Sequence, residues 1–331
     1  MPKLPITIAT WDYDRVRALI DGRVPVAGCD VNYLPMQVEE IFHRAHLSAE
    51  FEVAEIAMGV QIVRLGGSAG ADYVALPIFL SRMFRHSAIY IRTDRGIAKP
   101  QDLKGKRVGV PSYQMAAALW ARGFLKYVYG VDYADMSWRQ GGLEIPGRRE
   151  MTPLKLPPGF PLEVIAPGKT LSAMLAAGEL DALISARTPS CYDAKHPQVR
   201  RLFEDYATAE RDYYRQTGVF PIMHALGIRK DVHARHPWLG MELLKAFTAA
   251  KTIATAEFEQ LAALKLTLPW IGPESASTRA LMGDDFWPYG VGANRKTLDL
   301  MCRYVHEQGL APHRVTVEEL FPRSTTDLPK V

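Results

Sequence analysis

The sequence predicts a two-lobed α/β protein. Its 331 residues exceed what one hydrophobic core usually supports. Apolar strand patterns alternate with helical ones through both halves, the signature of mainly parallel sheets. Midway the succession is broken by residues 139–161, "RQGGLEIPGRREMTPLKLPPGFP", too dense in Gly, Pro and charge to be anything but loop or hairpin.

In chain order, "PITIATW" reads as a first strand and "YDRVRALIDG" as a helix stopped by Gly22. "DVNYLPM" is a second strand leading into helical "VEEIFHRAHLS". "FEVAEIAMG" and "YVALPIF" are further apolar segments, separated by the Gly-rich "LGGSAGAD". "AIYIRTD" is followed by a turn-rich connection, the strand "RVGVP" and the Ala-rich helix "YQMAAALWARGFL". "LSAMLAAGELDALISAR" is a helix, a Gly stop and a strand. "VFPIMHALGIRKDV" returns as an apolar strand before the long amphipathic helix "HPWLGMELLKAFTAAKTIATAEF".

A hydrophobic content of 48% and a charged content of 23% are ordinary for a globular protein. The net charge of +4 is scattered rather than blocked, which argues against nucleic acid as a partner and for a small anionic ligand in a cleft. Cys29, Cys191 and Cys302 form no CxxC pair, so neither a zinc ribbon nor a disulfide framework is expected. No secretory signal is read in "MPKLPITIATWDYD", and no apolar run is long enough for a membrane span, so a cytoplasmic protein is expected.

"DLKGKRVGVPS", "MLAAGELDALIS" and an apolar strand followed by "IRKDVHARHPWL" resemble the type II periplasmic-binding-protein fold. That resemblance implies two α/β lobes with a ligand cleft between them and two crossing strands, near residues 89–93 and 221–228. One lobe would comprise residues 1–91 plus 225–331, the other residues 92–224. "WDYDRVRALIDG", "VEEIFHRA", "ALPIFLSRMFRHS", "TGVFPIMH" and "GDDFWPYGVGANRKTL", in this order over nearly the whole chain, resemble the 4,5-dihydroxyphthalate decarboxylase family. Ala27, where an acidic residue is expected, and Leu80, where proline is common, depart from its pattern.

The family's reaction, as the resemblance implies it, removes one of two adjacent carboxylates from a dihydroxylated ring. A hydroxyl para to the departing group supplies the electrons, so no organic cofactor is expected, and the histidine spacings considered below give no reason to expect a metal. The protein must bind a dianion and deliver a proton to carbon. Arg82 and Arg85, crowded with His86 before the strand "SAIYIR", are the first carboxylate-binding candidates, with Arg187 facing them from the other lobe. Pairing with surface carboxylates is the competing reading of each arginine. His86 and His224 stand near the two expected crossings and are the proton-handling candidates, against a structural role as buried histidines. Asp284 is a third catalytic candidate, with Asp285 beside it and Trp287 and Tyr289 as ring walls, although "GDDFWPYG" is also strong turn chemistry. Asp12 and Tyr13 follow the first strand, where open α/β sheets present ligand contacts, and Asp12 is equally a helix cap. Ser112 precedes a helix, where it could cap or touch a carboxylate.

His43 with His46 and His233 with His236 have i, i+3 spacing but lack the glutamate of a HExxH site. Two functions remain in competition: a cofactor-independent decarboxylase, which the resemblance implies together with a homo-oligomeric assembly, and a solute-binding protein that only captures a small aromatic or other carboxylate. Both need arginines in a cleft, and only the enzyme needs a proton donor aimed at the ring.

Overall fold

Residues 4–10 alternate toward a buried face and then run fully buried from Ile8 to Thr10, because this strand lies inside a sheet covered on both sides. The computed structural model describes residues 2–68 and 70–326. In chain order its strands are β1 (Leu4–Thr10), β2 (Cys29–Pro35), β3 (Val53–Ala57), β4 (Tyr73–Arg82), β5 (Ile89–Arg92) and β6 (Arg107–Val110). These are followed by β7 (Ser137–Gln140), β8 (Leu162–Val164), β9 (Ala182–Ile184), β10 (Val199–Arg201) and β11 (Ile222–Arg229).

Among the described residues they form a five-stranded sheet, β2-β1-β3-β11-β4, and a six-stranded sheet, β10-β5-β9-β6-β7-β8. Both sheets are mixed rather than mainly parallel. β1, β2 and β3 run parallel, as do β6 to β9, whereas β11 is antiparallel to β3 and β4 and β5 is antiparallel to β9 and β10. The antiparallel pairs involve the strands beside the passages between the sheets, where the chain reverses direction. The segments expected as crossings run as β5 in the second sheet and β11 in the first. The passages themselves are residues 83–88 and 218–221.

β4 is an edge strand, which is why it tolerates Pro77. Its pairing with β11 slips on both sides of His224, so that His224 opposes Ser81 while Leu226 opposes Leu76. Such bulges twist a strand and re-aim its side chains.

One buried cluster extends across both sheets, joining Ile56 of β3, Ile89 of β5, Val108 of β6 and Met301 of the helix Arg295–Glu307. The helix Ala116–Tyr127 is fastened to the first sheet and to the end of the helix Arg295–Glu307. Trp120 Nε1–H donates to the Ile222 carbonyl at 2.8 Å, and Arg122 Nε–H donates to Gln308 at 2.7 Å. Gly123 permits the approach, since a Cβ there would stand 2.2 Å from the Tyr304 ring. Among the described residues no helix is long and apolar enough to cross a membrane.

Candidate active site

The carboxyl ends of β1, β3 and β6 open onto a common cleft of about 500 Å³, a volume suited to a small ligand. Trp11 and Tyr13 follow β1, Val60 follows β3, and Ser112, Met115 and Ala116 follow β6. Phe42 and Val38 come from the helix Val38–Ser48, Met83 and Arg85 from the first passage, and Met223 and His224 from β11. The walls are therefore mostly apolar, with a few polar groups converging on them.

His224 is the centre of a buried hydrogen-bond set. Its Nδ1 lies 2.7 Å from Glu55 Oε1. Glu55 is fully buried in β3 and also accepts from the Tyr13 hydroxyl at 2.7 Å and the Trp11 N–H at 2.9 Å. A carboxylate only accepts, so the Nδ1 of His224 carries the proton and Nε2 is the nitrogen left for the cleft. The His224 side chain keeps 18% exposure, and Phe42 packs edge-on to its ring at 4.7 Å. Burial, then the neighbouring Glu55, raise the Tyr13 hydroxyl far above its ordinary pKa, which keeps it a donor.

Arg85 is buried to 8% exposure, and its Nε contacts Met223 Sδ at 3.4 Å. Among the described residues its two terminal nitrogens have no hydrogen-bonding or ion-pair partner. Burial lowers its pKa to about 10, opposed by the charge of Glu210, so it remains a cation at neutral pH. A desolvated guanidinium facing a cleft is a strong seat for a carboxylate.

Ser112 also lines the cleft, but it does not cap the following helix, which begins at Ala116 after Met115. Instead its hydroxyl and the Tyr113 N–H both donate to the Glu150 carboxylate. Glu150 belongs to the Gly/Pro-rich segment after β7, which also brings Arg148, Arg149 and Met151 to the cleft. Arg187 stands at the mouth, 66% exposed, and pairs with Glu39 at 2.7 Å from the opposite wall.

The structure thus brings Tyr13, Arg85, Ser112, Arg187 and His224 together and places the other candidates elsewhere. His86 is next in sequence to Arg85 yet turns away from the cleft into an aromatic cage. It stacks on Phe124 at 4.2 Å and meets Phe203, Tyr129 and Tyr213, with both ring nitrogens buried and without a hydrogen-bond partner among the described residues. Burial pulls its pKa down to about 4, which favours the neutral ring at neutral pH. Arg82 is also buried, and its guanidinium binds the Phe220 and Pro288 carbonyls at 2.8 and 3.3 Å.

The "GDDFWPYG" segment is a clamp on β4 rather than a ring wall. Trp287 Nε1–H donates to the Phe79 carbonyl at 2.8 Å, and the Gly290 N–H to Pro77 at 2.8 Å. Asp285 pairs with Lys251 at 2.6 Å, while Asp284 is 98% exposed beside Arg279. Tyr289 is half-buried under Lys251 Nζ, which lies 4.9 Å from its ring centroid. Asp12 pairs with Arg17 and caps no helix through its side chain. Arg15 joins this clamp to the cleft, stacked 3.9 Å from the Tyr13 centroid and 4.2 Å from that of Trp287. It donates through Nε to the Leu80 carbonyl at 2.8 Å.

Glu55, Arg148, Arg149 and Glu150 were missed in the sequence. The signal for Glu55 was present: it is the one charge within the apolar run "VAEIA", and a carboxylate inside an apolar strand needs donors. Nothing comparable marked Glu150 or its arginines within a stretch already crowded with charge. Of the histidine pairs, His43 is exposed while His46 is buried, and among the described residues no group of three or more His, Cys, Asp and Glu is arranged to hold a metal ion.

No protein-family model matches the chain. It is 44% identical over 321 residues to a 4,5-dihydroxyphthalate decarboxylase of Comamonas testosteroni, covering 97% of each chain. It is also 44% identical over 215 residues to a 4,5-dihydroxyphthalate decarboxylase of Pseudomonas putida, covering 65% of this chain and 83% of that one. Among solved structures, the periplasmic aliphatic sulphonate binding protein SsuA of Escherichia coli superposes with a TM-score of 0.53 at 16% identity, covering 97% of this chain and 98% of that one. The desulfurization enzyme DSZB does so with a TM-score of 0.52 at 14% identity, covering 98% of each. At such identities these two define the fold, the two-lobed type II periplasmic-binding-protein-like architecture, and nothing of the chemistry.

Proposed function

This chain belongs to the 4,5-dihydroxyphthalate decarboxylase family, and from that premise we propose that it converts 4,5-dihydroxyphthalate to 3,4-dihydroxybenzoate and carbon dioxide in the cytoplasm. The observation that carries the mechanism is the convergence of two groups on one cleft: the guanidinium of Arg85, whose terminal nitrogens have no partner among the described residues, and the Glu55-held imidazole of His224. Residues 1–91 with 225–331 and residues 92–224 act in this proposal as the two lobes between which the substrate is held.

Arg85 binds the carboxylate that stays on the ring through a charge-assisted fork, and Phe42, Met115, Met151 and Met223 pack against the ring faces. His224, as imidazolium, delivers its Nε2 proton to the ring carbon bearing the other carboxylate. The para hydroxyl pushes electrons into the ring as the new C–H bond forms. The bond to the carboxylate carbon then breaks, its electron pair restores aromaticity, and neutral carbon dioxide departs. His224 is left neutral and regains one proton from solvent, which balances the one proton consumed per turnover. The buried Glu55 carboxylate holds the imidazole in one orientation throughout.

The test is release of carbon dioxide and 3,4-dihydroxybenzoate from 4,5-dihydroxyphthalate by the purified protein. A folded His224→Gln variant is expected to lose ~100- to 10,000-fold in turnover, the usual worth of a positioned proton donor. Binding of the substrate without carbon dioxide release would overturn the catalytic reading in favour of a solute-binding protein.

A further inference from the structure

We propose that the Ser112 hydroxyl and the Tyr113 amide form the subsite for the departing carboxylate, and that Glu150 is an internal carboxylate which holds this subsite until a dicarboxylate displaces it. The inference rests on the decarboxylase reading above and deepens it. Both oxygens of Glu150 are engaged, Oε2 by the Ser112 hydroxyl and Oε1 by the Tyr113 N–H. This is a seat built for a carboxylate, with a carboxylate of the protein in it, and it borders the cleft through Ser112 and through Arg149 and Met151 on either side of Glu150. Ser112 is buried and lines the same cleft as Arg85, the buried guanidinium with no partner at its terminal nitrogens among the described residues. Two carboxylate seats of different strength, one cationic and one of neutral donors, fit a ligand with two carboxylates.

The backbone around Glu150 is pinned on both sides. The buried amide of Gln140 donates to the Arg148 carbonyl at 3.3 Å, and that of Gln114 to the Thr152 carbonyl at 3.1 Å. Glu150 can thus leave its seat by rotating its side chain, without the loop opening, and Arg148 and Arg149 beside it offer the displaced carboxylate a counter-charge.

The chemistry explains why a resident carboxylate is useful. Substrate exchanges one carboxylate for another at the same two donors, so this seat adds little net ground-state binding. When the substrate carboxylate leaves as neutral carbon dioxide, a seat without Glu150 would be left with buried, unsatisfied donors. With Glu150 the donors are satisfied again at once, which favours departure over holding the substrate. The product retains only the carboxylate held by Arg85.

Binding is tested by calorimetry with two inert probes, phthalate and benzoate, which lack the hydroxyl that drives the reaction. Against the full-length wild type, Glu150→Ala is expected to bind phthalate ~10-fold more tightly, as one exchanged carboxylate is worth. Benzoate, confined to Arg85, should bind as before. Adding Ser112→Ala to Glu150→Ala should abolish that gain for phthalate and leave benzoate unchanged. In turnover, Glu150→Ala should lower KM and kcat together. Equal tightening of both probes in Glu150→Ala would make Glu150 a general repulsive charge and overturn the subsite, as would unchanged binding of both. A protein that releases no carbon dioxide from 4,5-dihydroxyphthalate but shows the phthalate-specific shift would overturn the decarboxylase reading and leave the subsite standing.

Discussion

Glu55 Oε1 lies 2.7 Å from His224 Nδ1, across the antiparallel ladder of β3 and β11. The ladder sets this meeting, because His224 opposes Ala57 and Leu226 opposes Glu55, so the two residues are diagonal neighbours on one face. Glu55 is saturated by donors from His224, Tyr13 and Trp11, and each of the three is held in place by that one buried carboxylate.

Replacing Glu55 with Gln keeps the shape and removes the charge. An amide must turn its NH2 toward one of three donors, so the set cannot be satisfied as it stands. Turnover is expected to fall ~100-fold with KM changed less than threefold. Nitrogen-15 spectra of labelled histidine should show the Nδ1–H form of His224 lost or mixed in the variant. An unchanged spectrum with unchanged kcat would remove Glu55 from the reaction.

Arg85→Ala should cost about 2 kcal/mol of transition-state binding, roughly 30-fold in kcat/KM, because a charge-assisted partner of the substrate is lost. Arg85→Lys should recover part of it, since a point charge replaces the fork. Steady-state kinetics on the folded variants decides the matter, and wild-type values for both would place the substrate elsewhere.

Arg187→Ala and Asp284→Asn are expected to behave much like the wild type. Arg187 forms an exposed ion pair, worth at most about 1 kcal/mol, or roughly fivefold in any rate that depends on it. Asp284 stands in solvent away from the cleft. A loss beyond tenfold in either variant would show that the cleft closes differently on substrate.

Burial holds His86 at about 4 and His46 at about 4, against an ordinary value of 6.5. The unfolded chain therefore binds protons that the folded chain refuses between those values. Stability is flat above about pH 6.5 and falls as the pH drops toward 4. At about pH 5 each histidine accounts for a loss of about 2 kcal/mol. Denaturant unfolding at about pH 7.5 and pH 5 should show this fall, and His86→Phe, which suits the aromatic cage, should remove about half of it. An equal fall in the variant would mean that His86 is not the group concerned.

Much of the architecture was legible because it follows from periodicity and punctuation. The apolar strands, the helices stopped by Gly22 and Gly178, and the loop that interrupts the two halves were all readable from residues alone, and both glycines sit at positive φ where a Cβ would strain the chain. The family resemblance was legible for the same reason, as ordered local segments that homologues share. The positive cluster at residues 82–86 was rightly singled out as unusual, but its three members have three different fates.

Which of them faces the cleft was decided only by tertiary structure. Arg82 ends an edge strand and turns to the backbone of another passage, Arg85 opens into the cleft, and His86 begins a short 3₁₀ turn that drives it into the aromatic cage. Sequence adjacency carries no information about such rotations, since one residue's shift along an extended chain reverses its face. Glu55 and His224 are 169 residues apart, and Ser112 and Glu150 are 38 apart. Each pair meets because separate segments converge on one cleft. The sequence by itself determined the elements and the family; long-range pairing and burial determined which charges became partners and which polar groups faced the cleft.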